Sequence, residues 1–184
     1  MEIDEAFNQS EQLWVDALAA VAPGDFDKPS GCDGWTIADL VNHVAGGGHR
    51  YAMLLDGADA AATALTRNND YIGSDVVAQF WRYEQMLRDV AAVADLGAMV
   101  DHRAGARSGM TLLNMRVMDL TLHAKDLCDG LGRQWEPSDV LASYLLLEIA
   151  STIDELRSLG LFGPATTPRS AAPADRLLAL AGRR

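Results

Sequence analysis

Apolar residues recur at intervals of three and four along most of this 184-residue chain, which is the spacing of one face of an α-helix. The segments that show this period are residues 2–22, about 37–55, 74–96, about 110–128 and 137–160. We find no convincing alternation of apolar and polar residues of the kind that marks a half-buried strand. The pattern therefore predicts an all-α protein, a bundle of four long helices with a loop-rich crossover.

Local signals place the ends of these helices. Thr36, with Asp39 three residues later, forms a capping-box pattern before the second segment, and Ser74 with Asp75 precedes the third. The glycines of "DGLG" (129–132) end the fourth, and Pro137 suits the first turn of the fifth. Residues 160–184 are predicted to form an extended tail followed by a short terminal helix, "ADRLLAL". We expect a single domain over 1–184, with no internal repeat.

Composition narrows the classes of function. The chain has 15 Lys and Arg against 26 Asp and Glu, a formal net charge of -11, so nucleic acids and anionic membranes are poor partners. Cys32 and Cys128 match neither a zinc knuckle nor a disulfide framework, which favours a reducing compartment. The first twenty residues are acidic where a signal peptide is basic, and no apolar run reaches membrane-spanning length. These features predict a cytoplasmic protein.

One cluster of residues has the spacing of a metal site. Asp119 and His123 lie four positions apart in "MDLTLHAKDL", so on a helix both reach the same point, and His43 lies on the flank of the apolar stripe of the second segment. Two imidazoles and a carboxylate suit zinc, nickel or iron better than magnesium or calcium. Three protein ligands would leave a coordination position open for water or substrate. Two alternatives stay open: a hydrogen-bonded packing histidine, and an Asp-His pair on the helix surface worth about 0.3–0.5 kcal/mol.

Other residues near this cluster have two interpretations each. The glycines 46–48 lie inside a helix at a cost of about 1 kcal/mol each relative to alanine, so they either clear space for a substrate or allow close helix packing. Trp35 is expected to pack before the Thr36 cap. Arg116 and Asp126 either orient the metal ligands or are solvated surface charges, and we favour surface charges.

The remaining candidates have ordinary explanations. Cys32 precedes a helix N-terminus but has no histidine beside it in sequence, so a catalytic cysteine is not expected. Cys128 is predicted to belong to the core. His49 and His102 are expected to face solvent.

Three stretches resemble a known family: "SGCDGWTIADLVNHVAGGG" (30–48), "NMRVMDLTLHAKDL" (114–127) and the tail "LFGP…APADRLLALAGR". They are similar to the DinB-like four-helix-bundle superfamily, in particular the metal-binding domain of mycothiol-dependent maleylpyruvate isomerase and its stand-alone actinobacterial relatives. The resemblance implies a bundle with one long crossover and a metal held by His43, Asp119 and His123. It also implies a low-molecular-weight thiol, mycothiol in the isomerase, as co-substrate.

Two departures from the family affect the expected reaction. The resemblance places Glu where this chain has Asp119, a shorter side chain. The chain is also expected to lack the separate C-terminal domain of the isomerase, so maleylpyruvate isomerisation itself is not expected. The sequence thus predicts a divalent-metal-binding protein, most simply with zinc, that acts as a thiol-dependent transferase or isomerase on a small molecule. The alternatives are a non-catalytic metal- or ligand-binding bundle and a metal-free interaction protein; a homodimer is compatible with each.

Overall fold

The computed structural model describes residues 1–183, which form eight α-helices joined by loops, one 3₁₀ turn and a two-stranded hairpin. The helices are α1 (Ile3–Leu18), α2 (Ile37–Leu55), α3 (Ala60–Ala64), α4 (Val76–Ala91), α5 (Gly109–Leu131), α6 (Asp139–Glu148), α7 (Ala150–Ser158) and α8 (Pro173–Leu180). The antiparallel hairpin pairs β1 (Met99–Val100) with β2 (Arg107–Ser108). The all-α prediction is confirmed.

The capping signals act as the sequence predicts. The hydroxyl of Thr36 accepts a hydrogen bond from the backbone N–H of Asp39 (3.1 Å), and the carboxylate of Asp39 accepts one from the N–H of Thr36 (2.9 Å). Asp75 caps α4 through its carboxylate, which accepts a hydrogen bond from the backbone N–H of Ala78 (2.9 Å). The helix α5 ends at Gly132, which adopts the left-handed conformation (φ 65°) that glycine tolerates best. With bounds of Gly109–Leu131, α5 is slightly longer than the predicted segment of about 110–128.

Two features depart from the prediction. The segment 137–160 is divided into α6 and α7 at Ile149, whose backbone (φ -122°, ψ -2°) leaves the helical region while its side chain stays fully buried. The hairpin and the five-residue α3 lie in stretches that sequence periodicity assigned to loops. Strands of two residues and a helix of little more than one turn are too short to show a period.

The apolar faces meet in two core clusters. One contains Trp14, Ile37, Phe80 and Leu120 and fills the space among α1, α2, α4 and α5. The other joins α5 to α1, α6, α7 and α8. Because α2 packs on both α4 and α5, the polar flanks of α2 and α5 come to face one another. Within residues 1–183, no helix has both the length and the apolar composition that crossing a membrane requires.

Candidate functional site

The side chains of His43, Asp119 and His123 converge between α2 and α5. Oδ1 of Asp119 lies 3.6 Å from Nε2 of His43 and 3.4 Å from Nε2 of His123. The two imidazole rings are nearly perpendicular, with centroids 5.0 Å apart. One donor atom from each residue lies within 4.8 Å of the others. The structure thus brings together the three residues that the sequence singled out, and each is partly exposed to solvent.

A buried arginine orients the carboxylate of Asp119. Nη1 of Arg116 donates a hydrogen bond to Oδ2 of Asp119 (2.8 Å), which leaves Oδ1 facing the two histidines. Arg116 is fully buried, pairs with the fully buried Glu84 of α4, and donates to the carbonyl of Val44 (3.0 Å). The interpretation of Arg116 as a solvated surface charge was therefore wrong. Its position on a helix edge could not reveal that α4 brings a carboxylate to cover it.

A second carboxylate orients His123. Its Nδ1 donates to Oδ2 of Asp126 (2.9 Å), and Asp126 in turn accepts from Nε (2.9 Å) and Nη2 (2.8 Å) of Arg183. Asp126 is only 2% exposed, so the surface interpretation of this residue was also wrong. With Nδ1 engaged, Nε2 of His123 faces Asp119 and His43. Arg183 was missed by the sequence reasoning, although it stands at the end of the tail motif on which the family resemblance rests.

The charges of the three convergent residues are coupled. Burial disfavours the Asp119 carboxylate, but hydrogen bonds from His123 and His43 hold its pKa well below the usual range. Burial also opposes protonation of His123, yet its bonds to Asp119, Asp126 and Cys32 raise its pKa well above the ordinary value. The pKa of His43 is lowered, chiefly by burial. A metal ion that uses both imidazoles must therefore displace a proton from His123.

The thiol of Cys32 also reaches this region, from the loop before α2. Its Sγ lies 3.2 Å from Oδ2 of Asp126 and 3.8 Å from Nδ1 of His123, a histidine partner 91 positions away in sequence. Gly31 allows the approach, because a Cβ there would stand 2.8 Å from the Cα of Asp126. Cys32, His123 and Asp126 also satisfy the distances of a metal-ligand group. Their facing atoms already bond to one another and to Arg183, so the group of His43, Asp119 and His123 is better placed.

A cavity of about 320 Å³ opens over these three residues. Trp35 lines it too, with its ring centroid 5.0 Å from that of His43 and 6.3 Å from that of His123, so Trp35 packs beside the site as well as preceding the helix cap. His102 lines the cavity and is not a solvent residue as expected. Burial, assisted by Arg107, lowers its pKa to about 4.

The three consecutive glycines of α2 permit close packing. A Cβ on Gly47 would lie 2.5 Å from Nη1 of Arg116, and one on Gly46 would lie 2.7 Å from the ring of Tyr71. At Gly48 it would lie 2.8 Å from a carboxylate oxygen of Glu84. The packing explanation therefore holds for all three, and Gly47 lines the cavity as well.

The other two residues singled out from the sequence lie outside this site. His49 is half-buried beside the hydroxyl of Tyr71 (2.9 Å) rather than in solvent, so that expectation was wrong. Cys128 is buried in the core, as predicted.

The fold and the site together define a helical bundle in which two facing helices present a His-Asp-His group in the wall of a cavity. Residues 7–128 match the family described as mycothiol maleylpyruvate isomerase N-terminal domain, and the chain belongs to that family. This confirms the resemblance drawn from the sequence. The matched region contains His43, Asp119 and His123 but ends before Arg183.

Relatives of known sequence and structure extend the comparison. Two uncharacterized proteins of Mycobacterium tuberculosis, from strains CDC 1551 and H37Rv, are each 25% identical over 181 residues, covering 97% of this chain and 96% of theirs. Crystal structures of the mycothiol-dependent maleylpyruvate isomerase and of a histidine-to-alanine mutant share the fold, with a TM-score of 0.63. They are 16% and 15% identical and cover 83% of this chain and 70% of the isomerase. The helical fold is that of the isomerase.

Proposed function

We propose that His43, Asp119 and His123 bind one divalent transition metal ion, most simply zinc, with nickel or iron as the other candidates. We further propose that the protein is a thiol-dependent transferase or isomerase that uses a mycothiol-type thiol and acts on a small molecule. The observation that carries the proposal is the convergence of two Nε2 atoms and one carboxylate oxygen, from two helices, in the wall of a cavity.

The donor atoms fit such an ion. Zinc binds histidine nitrogen at about 2.0–2.1 Å and carboxylate oxygen at about 2.0–2.2 Å, so tetrahedral ligands lie about 3.3 Å apart. The distances from Oδ1 of Asp119 to the two Nε2 atoms, 3.4 and 3.6 Å, are close to that value. The two imidazole nitrogens favour zinc, nickel or iron over calcium or magnesium, which prefer oxygen-rich shells.

The neighbouring residues hold the three donors in place. Arg116 occupies one oxygen of Asp119 and leaves the other free, while Asp126 fixes the Nδ1 proton of His123 and thereby directs Nε2. Such outer hydrogen bonds orient ligands and tune metal affinity in known metal sites. These bonds direct Oδ1 of Asp119 and Nε2 of His123 toward the same point, so the site is largely preorganised. The side chain of Asp119 is shorter than that of the Glu that the family resemblance implies. The hydrogen bond from Arg116 holds its carboxylate beside the histidines.

The thiol part of the proposal rests on the family and on the open cavity. When bound, a divalent cation lowers the pKa of a coordinating thiol and so supplies a thiolate at neutral pH. Three protein ligands are the number found in catalytic zinc sites, which keep one position for an exchangeable ligand. The solved relatives are named as mycothiol-dependent enzymes, which supports a small thiol as the co-substrate here.

Metal analysis of protein purified without a histidine tag tests the site. We expect close to one transition metal ion per chain in the wild type and little metal in His43→Ala and in His123→Ala. His49→Ala is the matched control, because His49 lies on the same helix as His43 but bonds to Tyr71, and it should keep its metal. Full metal content in both site variants would overturn the assignment.

A thiol titration separates the enzyme from the non-catalytic metal-binding bundle. Cobalt-substituted protein should develop a thiolate-to-metal charge-transfer band when a low-molecular-weight thiol is added, and Asp119→Asn should weaken it. Cys32→Ser is a necessary control, because the Cys32 thiol lies 3.8 Å from the ring of His123. If full metal occupancy gives no band, the thiol mechanism fails and the non-catalytic metal-binding bundle becomes the better description.

A further inference from the structure

The wall of the cavity beyond the three convergent residues is strongly cationic. Four arginines line the cavity, and Asp119 is the one acidic side chain among the described residues that line it. This contrasts with the chain as a whole, whose formal net charge is -11. A cluster of cations in an acidic protein is a local feature that needs its own explanation.

Three of these arginines have no acidic partner. Arg183 is held by Asp126, but Arg50, Arg67 and Arg103 form no ion pair within residues 1–183. Arg50 is only 8% exposed, and burial together with the nearby Arg67 lowers its pKa. The pKa of Arg67 is lowered in turn by burial and by Arg103. Arg50, Arg67 and Arg103 thus line one cavity without an ion-pair partner, an arrangement that a bound anion would stabilise.

The three arginines come from separate segments that meet at the cavity. Arg50 lies two turns after His43 on α2, and its Nη2 donates to the His43 carbonyl (3.0 Å), so its guanidinium group is held beside the site. Arg67 follows α3, and Arg103 lies in the loop between β1 and β2. That loop is tied to α3 by a hydrogen bond from the N–H of Ala60 to Asp101 (3.1 Å). We call Arg50, Arg67 and Arg103 the arginine wall.

Neutral donors accompany the arginine wall. Nδ1 of His102 accepts a hydrogen bond from the N–H of Ala104 (3.2 Å), so the neutral ring carries its proton on Nε2. Tyr51 also lines the cavity, and burial raises the pKa of its hydroxyl far above neutrality, so the hydroxyl keeps its proton. His102 and Tyr51 thus add neutral donors to a cavity that four arginines line.

We propose that the arginine wall binds an anionic group, a carboxylate or a phosphate, of the small-molecule substrate. Guanidinium groups match the planar oxygens of carboxylates and phosphates through paired hydrogen bonds. The volume of about 320 Å³ is that of a small-molecule site. That the rest of the substrate reacts at the His-Asp-His group rests on the proposed function. Anion binding by the arginine wall does not.

Titration calorimetry on the metal-free full-length chain tests the wall directly. The probes are succinate, inorganic phosphate and the uncharged succinamide, at low ionic strength. We expect one of the two anions to bind in a one-to-one complex, which shows whether the wall prefers a carboxylate or a phosphate. Succinamide should not bind. The double variant Arg67→Gln/Arg103→Gln should weaken that binding at least tenfold. Both residues are exposed, so the variant should keep its fold. Arg82→Gln, an exposed arginine of α4 outside the cavity, should bind as the wild type does.

The outcomes separate this proposal from the metal site. Because the wild-type chain is titrated without metal, anion binding that is lost in Arg67→Gln/Arg103→Gln assigns the anion to the wall whatever the metal analysis shows. Equal affinity in wild type and double variant, binding of neither anion, or equal binding of succinamide would overturn the arginine wall. Binding that requires added metal and ignores the arginine substitutions would show that the anion ligates the ion, which overturns the wall while leaving the metal site intact.

Discussion

Nδ1 of His123 lies 2.9 Å from Oδ2 of Asp126, and the same carboxylate accepts two hydrogen bonds from Arg183, the last described residue. The bond holds the proton on Nδ1 of His123 and therefore directs Nε2 toward Asp119. Residues outside the family domain of 7–128 thus contribute to the order of the site.

Asp126→Asn should weaken metal binding about 10- to 100-fold, the usual cost of removing such an outer hydrogen bond. Arg183→Ala should act in the same direction, since it frees the carboxylate that positions His123. Competition with a chromophoric chelator measures the affinity. Arg176→Ala, an exposed arginine on α8, is the matched control and should be neutral. Unchanged affinity in both site variants would show that His123 needs no such support.

The buried pair of Arg116 and Glu84 should be sensitive to loss of one partner. Both side chains are fully buried, so Glu84→Gln removes the buried partner of the Arg116 charge and leaves only Asp119 to balance it, which should lower the free energy of unfolding by up to about 3–5 kcal/mol. The double variant Glu84→Gln/Arg116→Met should lose less than the sum of the two single variants. Urea unfolding gives the energies, with the exposed Glu148→Gln on α6 as control. Strict additivity would contradict a coupled pair.

Gly47→Ala should destabilise the protein although alanine favours helices by about 1 kcal/mol. The new Cβ would lie 2.5 Å from Nη1 of Arg116, and the bonds of Arg116 to Glu84, Asp119 and Val44 prevent it from moving freely. Displacing Arg116 also disturbs Asp119, so metal affinity should fall together with the melting temperature. Gly24→Ala is the control, since a Cβ there meets no atom within 4 Å. A stabilised Gly47→Ala would show that the packing around Arg116 is loose.

His102 should make the metal-free protein less stable in mild acid. Its pKa is about 4 in the folded chain against about 6.5 when unfolded, so the unfolded state takes up the proton first as the pH falls. The contribution of neutral His102 to the free energy of unfolding is fully present above pH 6.5. It falls by about 2–3 kcal/mol as the pH drops to 4. Unfolding energies of wild type and His102→Gln, compared at several pH values, isolate it. Parallel curves for the two proteins would contradict the buried neutral histidine.

Much of the fold is visible in the sequence because its signals are local. The helical period and the Thr36 capping box place α2 at residues 37–55, where the structure has it, and the period also marks the long helix that carries Asp119 and His123. Because residues four apart lie on the same face of a helix, the spacing of those two already predicts that their side chains are neighbours. The break at Ile149 escaped detection because the apolar pattern continues across it.

By itself, the sequence determined the helical class, singled out the three residues proposed as metal ligands and, through three motifs, indicated the family. Only the tertiary structure decided what surrounds them. That Glu84 would neutralise Arg116, that Arg183 would hold Asp126, and that three unpaired arginines would share one cavity depend on contacts between segments tens of residues apart. A helical period says which face of a helix is apolar, but not which side chain from another helix meets its polar edge.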